Sequence, residues 1–401
     1  MPKRKRGNGE GTVFEDKKRN RWVAQYVAGT NENGKSIRKS IYAKTQKEVI
    51  KKLNEVNYKI NNNVYIEKNG IELVKIMEDI REEKLDSNTI SEGQYARLNW
   101  TIKKIKESKI GKSKIQDIKK EEIQEFLNSI KTLSNSYIKK IYEQFVQAYK
   151  RAEIKKYIDT NPMYEIIRPI SKNQTKEVQA LDLDIQKKFT KYLNSVNVKN
   201  EKYKNVFLVQ MYMGLRIGEV LALSSESIDL DKKLIYVRRT LVNDKDFNIK
   251  MGNKTKTYSG KRDLPIPEFL IPVFEEQLKQ AKINKDNLLF TNNNEFVRTS
   301  TINEMLKKIF KNILKEETEN ISTHCLRHTY GTRCIEGGMT AVVLQRLMGH
   351  KDIKVTLNTY TSVFNKFKED EIEKVNKYLL DNQLNVINNF KTKEEILGSE
   401  I

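Results

Sequence analysis

HCLRHTYGTRCIEGGMTAVVLQRLMGHKDIKVTLNTY, residues 324–360, is the stretch that decides how the remainder of the chain is understood. The 401 residues contain three histidines, and His324, His328 and His350 all fall inside it. It also holds a guanidinium at Arg327 and a phenol at Tyr360, in a chain otherwise rich in lysine. Imidazole, guanidinium and phenol together are groups that grip and attack a phosphate.

On a helix His324 and Arg327 share one face, while Leu326 and Tyr330 turn toward another, apolar one. Gly331 leaves the polar face without a side chain, so a bulky anion is expected to approach the backbone there. Gly337-Gly338 ends this helix. A second helical run from Thr340, with Val343, Leu344 and Leu347 at core spacing, reaches Gly349, and His350 emerges just beyond it. Asp352 is placed to cap a third helix, which carries Tyr360.

H-x-x-R over His324 and Arg327, the G-H pair ending in His350, and Tyr360 ten residues later resemble the catalytic box of the tyrosine recombinases, the phage-type integrases. That family has a further arginine upstream and a lysine on a β-hairpin between the two. MGLRIGEVLAL (213–223) supplies Arg216, with Glu219 three residues on. TKT (255–257), ahead of RDLPIP (262–267), supplies Lys256, with Lys254 as a competing choice. Five motifs in order over about 145 residues carry the resemblance.

The resemblance implies catalytic residues Arg216, Lys256, His324, Arg327, His350 and Tyr360, with Glu219 and His328 in support. Forked, permanently charged arginines suit the non-bridging oxygens of a phosphodiester and the extra charge of its transition state. Tyr360 is the expected nucleophile; an ordinary phenol is handicapped by roughly 4 kcal/mol at pH 7. By the resemblance His324 is the acid/base, His350 bonds the phosphate and Lys256 protonates the departing 5′ oxygen. His328 follows Arg327 directly and is expected to point elsewhere on the helix in a structural role. The product of attack is a covalent 3′-phosphotyrosine, which conserves bond energy, so a free 5′ hydroxyl can attack it later without ATP. The implied activity is site-specific recombination that integrates and excises a mobile element. A chromosome-dimer resolvase of the same family, a type IB topoisomerase and a catalytically silent DNA-binding regulator are the alternatives.

Composition agrees with a polyanionic partner. Seventy-five Lys and Arg against 53 Asp and Glu leave a formal charge of +22, which favours nucleic acid through counterion release. Residues 1–50 alone hold 13 Lys/Arg and 5 Asp/Glu. No run approaches the roughly 18 apolar residues of a membrane helix, so a soluble, cytoplasmic protein is expected. Two cysteines, Cys325 and Cys334, form no disulfide framework. Zinc held by His324, Cys325, His328 and Cys334 would need four side chains of one helix to converge in a spacing no common finger uses, and neither a cofactor nor a metal is expected.

In chain order, a basic arm over about ten residues precedes three strand-like runs, Thr12 to Phe14, Trp22 to Val27 and Ser36 to Tyr42, with Asn33-Gly34 as a hairpin turn. Thr45-Gln46-Lys47-Glu48 is a capping box opening a helix with Val49, Leu53 and Val56 inward. This unit, residues 1–65, resembles the arm-type DNA-binding domain of many integrases, and Arg21, Gln25, Arg38 and Ser40 are its candidate DNA contacts. After a linker at Asn61-Asn62-Asn63, residues 71–172 carry four or five amphipathic helices, the all-α core-binding bundle of the family. Residues 175–375 form a mainly α catalytic domain with one small antiparallel sheet, built on Leu234 to Arg238 and Lys261 to Pro267. Residues 376–401 are a tail with Tyr378, Leu379, Val386, Ile387 and Phe390 near helical spacing. The resemblance implies a multidomain tyrosine recombinase fold for the whole. Its implied partners are double-stranded DNA at core and arm sites, a homotetramer on that DNA, an excisionase and a host DNA-bending protein, with no membrane.

Overall fold

Alternation of apolar and polar residues builds the first sheet, in which β1 (Thr12–Asp16), β2 (Arg21–Thr30) and β3 (Ser36–Ala43) pair antiparallel in that order. Its period of two sends Ala24 and Tyr26 of β2 and Ala43 of β3 against Val49 and Leu53 of α1 (Gln46–Asn61). The capping box at its start is half made. Thr45 Oγ1 accepts from the Glu48 backbone N–H at 3.3 Å, whereas the Glu48 carboxylate turns to Lys52 at 2.8 Å. Helix α1 runs through Asn61, the first residue of the expected linker.

The computed structural model describes residues 11–30, 35–61, 71–173, 178–253, 260–281, 287–317, 321–366 and 368–382. The basic arm, the Asn33-Gly34 turn, Asn62-Asn63, Lys254, Lys256, Val386, Ile387 and Phe390 lie outside them. The chain divides into two units, Met1–Thr175 and Lys176–Ile401. The first has two separate cores. One is the sheet and α1; the other joins α2 (Leu73–Asp86), α3 (Glu92–Lys106), α4 (Lys120–Ser129) and α5 (Asn135–Ile154) through Met77, Ile102, Ile105, Leu127, Ile141 and Phe145. Ser91 and Ser134 cap α3 and α5. The segment between α3 and α4 also contributes, burying Ile115 and Ile118.

In the second unit, α6 (Leu183–Ser195) packs on α7 (Lys204–Met213), which buries Val206, Phe207, Leu208, Val209 and Met211. A helix apolar on all sides belongs at the centre. Rings of Phe189 and Phe207 lie 5.9 Å apart, and Phe189 and Phe310 5.0 Å. After the short α8 (Ile217–Val220) come two small sheets where one was expected. One has the order β4 (Ile228–Asp229), β5 (Leu234–Val237), β8 (Arg262–Pro265); the other is a hairpin of β6 (Arg239–Asn243) and β7 (Ile249–Asn253). They part at Arg238, whose side chain bonds the Arg262 carbonyl at 3.0 Å between the end of β5 and the start of β6. The order closes with α9 (Ile271–Ala281), α10 (Thr299–Ile309), α11 (Thr323–Glu336), α12 (Ala341–Met348), α13 (Ile353–Lys366) and α14 (Lys368–Asp381). Among the described residues no helix is long and apolar enough to cross a membrane.

Candidate active site

Helix α7 ends at Gly214, which sits in the left-handed region at φ +64°. A Cβ there would also fall 2.2 Å from the Tyr330 ring, so only glycine serves. The chain then places Arg216 at the N-cap of α8. Glu219 satisfies that helix start, accepting from the Arg216 backbone N–H at 3.0 Å and from Arg216 Nη1 at 2.9 Å. Its carboxylate is fully buried and also receives Arg262 Nη2 at 2.7 Å.

Three guanidiniums converge on the last carbonyls of α12. Arg262 Nε donates to the Leu347 carbonyl at 2.6 Å, Arg327 Nη2 to Met348 at 2.7 Å and Arg216 Nη2 to Gly349 at 3.0 Å. A helix C-terminus leaves these oxygens without intrahelical partners and carries the negative end of the dipole, so it draws cations in. Arg327 is further tied to the Gly214 carbonyl at 2.6 Å and is 2% exposed, whereas the Arg216 side chain is 43% exposed and faces solvent. Three cations gather around one carboxylate, which bonds Arg216 and Arg262 but not Arg327, so the cluster has positive charge left for an anion. Burial, reinforced by Arg216, holds Arg327 down to about 9, below the usual guanidinium range and still charged at neutral pH.

The imidazoles border this cluster. His324 and His328 lie four apart on α11 with their Nε2 atoms 3.2 Å from each other, and the His328 ring is 5.8 Å from that of Tyr360. His328 therefore does not point away from the site as its place after Arg327 suggested. The i, i+4 relation to His324 wins, and Arg327 is the one that turns inward. His350 follows the left-handed Gly349, and its Nδ1 is 2.8 Å from Thr356 Oγ1. Burial first, then neighbouring cations, lowers all three, His328 and His350 to about 4. They are neutral at pH 7, and an arriving phosphate would raise them again.

Tyr360 sits at a kink in α13 (φ −118°, ψ 17°), 2% exposed, with its hydroxyl 3.5 Å from Met348 Sδ. Beneath it is Gly331, where a Cβ would fall 2.1 Å from the phenol oxygen. The space at 331 thus houses the tyrosine, and the expectation of an anion against that backbone is corrected. Burial pushes the phenol up to about 12, with Arg327 opposing. Lys256 and its competitor Lys254 fall between Asn253 of β7 and Arg262 of β8, outside the described residues. Cys325 joins the main core and Cys334 the cluster around Tyr360. Among the described residues, no group of three or more His, Cys, Asp or Glu comes together as a metal-holding set.

Sequence reasoning passed over Arg262, Thr356 and Met348. The signal for Arg262 was present, since it shares strand parity with the buried Leu264. In the first unit Gln25 pairs with Ser40 and Val27 with Arg38, so all four candidate contacts lie on the sheet face opposite α1. Gln25 and Arg38 are exposed and Ser40 is half-buried. Arg21 is engaged by Asp16 at 3.2 Å and stacks 4.0 Å over the Tyr42 ring.

Paired arginines, imidazoles and a buried tyrosine on a mainly helical domain define a phosphoryl-transfer class of protein, and comparison with known proteins gives the family. Residues 179–366 match the phage integrase family and belong to it; these tyrosine recombinases are enzymes that break and rejoin DNA strands in site-specific recombination. The chain is 29% identical to a tyrosine recombinase XerC-like protein of Caldanaerobacter subterraneus subsp. tengcongensis, over 87% of this chain and 94% of that one. It is 25% identical to the transposase from transposon Tn916 of Enterococcus faecalis, over 68% of this chain and 70% of the relative. It shares its fold with the Tn1549 transposon integrase, solved in complex with transposon right end DNA, at a TM-score of 0.62 and 20% identity over 75% of this chain and 99% of that one.

Proposed function

We propose that the protein cleaves and rejoins DNA through a covalent 3′-phosphotyrosine at Tyr360 and so integrates and excises a mobile element. The observation that carries this is the meeting of Arg216 and Arg327 on adjacent carbonyls, Gly349 and Met348, at the helix end that precedes His350 and faces the tyrosine-bearing helix. Main-chain carbonyls are weaker acceptors than phosphate oxygens, so the exposed Arg216 exchanges Gly349 for a scissile phosphate that enters the cluster. Each arginine then stabilises the pentacoordinate transition state, and losing one such donor costs about 3 kcal/mol. From about 12, ionising Tyr360 at pH 7 costs about 7 kcal/mol against about 4 for an ordinary phenol, so a base must take its proton as attack proceeds. His324 is that base, with His328 beside it, its Nε2 3.2 Å from that of His324 and its ring 5.8 Å from the Tyr360 ring. His350, oriented by Thr356, bonds the phosphate, and Lys256 protonates the 5′ oxygen.

The front sheet, exposing Gln25 and Arg38 opposite its helix, supports an arm-site role and favours a mobile-element integrase over a chromosome-dimer resolvase. The helical bundle would bind the core site, an excisionase and a host DNA-bending protein would set direction, and four protomers would act together. Ile372, Val375 and Tyr378 of α14, each more than half exposed, are the surface for a neighbouring protomer. The test is a nicked duplex carrying the element's junction, run on a denaturing gel. Wild type should form a protein–DNA adduct, and Tyr360→Phe should bind the same DNA and form none. An adduct that survives the substitution removes Tyr360 as nucleophile. Salt-sensitive binding with no adduct from the wild type would instead mean a silent DNA-binding regulator.

A further inference from the structure

We propose that Arg262 is a positioning residue for strand cleavage, setting the aim and effective charge of Arg216 through their shared carboxylate, Glu219. The inference rests on the reading of Arg216 as a phosphate-binding group. The Arg262 side chain is 7% exposed, too enclosed to meet DNA, and its bonds run to the site instead. Nη2 donates to Glu219 Oε2 and Nε to the Leu347 carbonyl, while Nη1 is buried without a hydrogen-bond partner among the described residues. A buried, incompletely satisfied guanidinium costs stability, so its stabilising return lies in what it holds in place.

It holds two things. Glu219 has no exposure and meets Arg216 through both oxygens, with the Arg262 bond on Oε2 as well. With Arg216 alone, a buried carboxylate makes a neutral pair and draws that arginine's charge away from a phosphate. With Arg262 added, the trio carries one net positive charge, and Arg216, the exposed member, presents it. The Leu347 bond fixes the last turn of α12, whose next two carbonyls hold Arg327 and Arg216. Arg262 also opens the strand that follows residues 254–259, so the same side chain joins the end of the lysine-bearing segment to the arginine cluster.

The experiment measures binding and single-turnover cleavage of the nicked junction duplex by the full chain carrying Arg262→Gln, Glu219→Gln or both. Arg262→Gln should bind within about twofold of wild type, because it touches no DNA, and cleave at least about tenfold more slowly. The double variant should cleave no more slowly than the worse single one, since both changes break one linkage. Arg262→Lys keeps the charge but not both bonds, and should recover part of the rate. If Arg262→Gln is not folded at the assay temperature, Arg262→Lys replaces it in the same cycle with Glu219→Gln. Multiplying effects in the double variant, a binding loss matching the cleavage loss, or wild-type cleavage by the single variant would overturn the proposal. Absence of an adduct from wild type is a separate outcome, which overturns the recombinase reading and the positioning role with it.

Discussion

Replacing Gly331 by alanine puts a methyl carbon 2.1 Å from the Tyr360 hydroxyl oxygen, 2.3 Å from Cζ and 2.9 Å from Cε1. Ordinary contacts between such atoms begin near 3.5 Å, so the phenol must retreat by roughly 1.4 Å. The backbone cannot yield much, because residue 331 is mid-helix in α11 and the neighbouring Arg327 is held by two carbonyls. Overpacking of this kind costs about 1–3 kcal/mol, offset by about 1 kcal/mol from exchanging a mid-helix glycine for alanine. A net loss of roughly 0–2 kcal/mol should lower the melting temperature by at most about 8 °C. The effect on chemistry is larger, since a displacement beyond 1 Å at a reacting atom can cost about 100-fold. Calorimetry with single-turnover cleavage of the nicked duplex reads both, and fluorescence anisotropy should show unchanged DNA binding. A Gly331→Ala protein that melts and cleaves like wild type would refute the seating of Tyr360 on residue 331.

Three further outcomes test the roles proposed for the imidazoles, the lysine-bearing segment and the front domain. His328 and His350 are held at about 4 in the folded protein against an ordinary 6.5, so the unfolded chain takes up protons first as pH falls. Their contribution to stability is complete above about 6.5 and is lost as pH drops through about 4; thermal melts across that window should fall with pH, and His328→Gln with His350→Asn should flatten the slope. Lys256→Ala should cleave a normal substrate slowly but one with a sulfur-substituted 5′ leaving group at near wild-type rate, because a thiolate needs no proton; the same rescue in Lys254→Ala instead would move the role to Lys254. Deleting residues 1–65 should abolish binding at arm sites and leave core cleavage intact, and arm binding that persists would remove the front domain from that role.

The capped helices around the candidate site and the alternating strands at the front were legible without coordinates, because helix and strand periods, glycine stops and cap residues act over a few positions; the order of the candidate site motifs was carried by the family resemblance. The length of α1 and the second small sheet were not: that sheet is a local hairpin pairing Asn243 with Ile249 and Arg239 with Asn253, and β6 buries no residue fully, so no strong apolar alternation announces it. His328 shows where local reasoning fails: adjacency to Arg327 suggested divergence, while the i, i+4 relation to His324 and the inward pull of two carbonyls on Arg327 decided the outcome. Gly331 shows a different failure, for a missing side chain announces space but not its occupant, and the occupant comes from α13. The sequence by itself therefore determined which chemical groups the protein has and in what order. Tertiary structure alone decided that three arginines gather on the end of α12 and that Glu219 is shared between two of them, because charge sharing and burial are properties of distances between residues 21, 43 and 133 positions apart, beyond the reach of helix and strand periods.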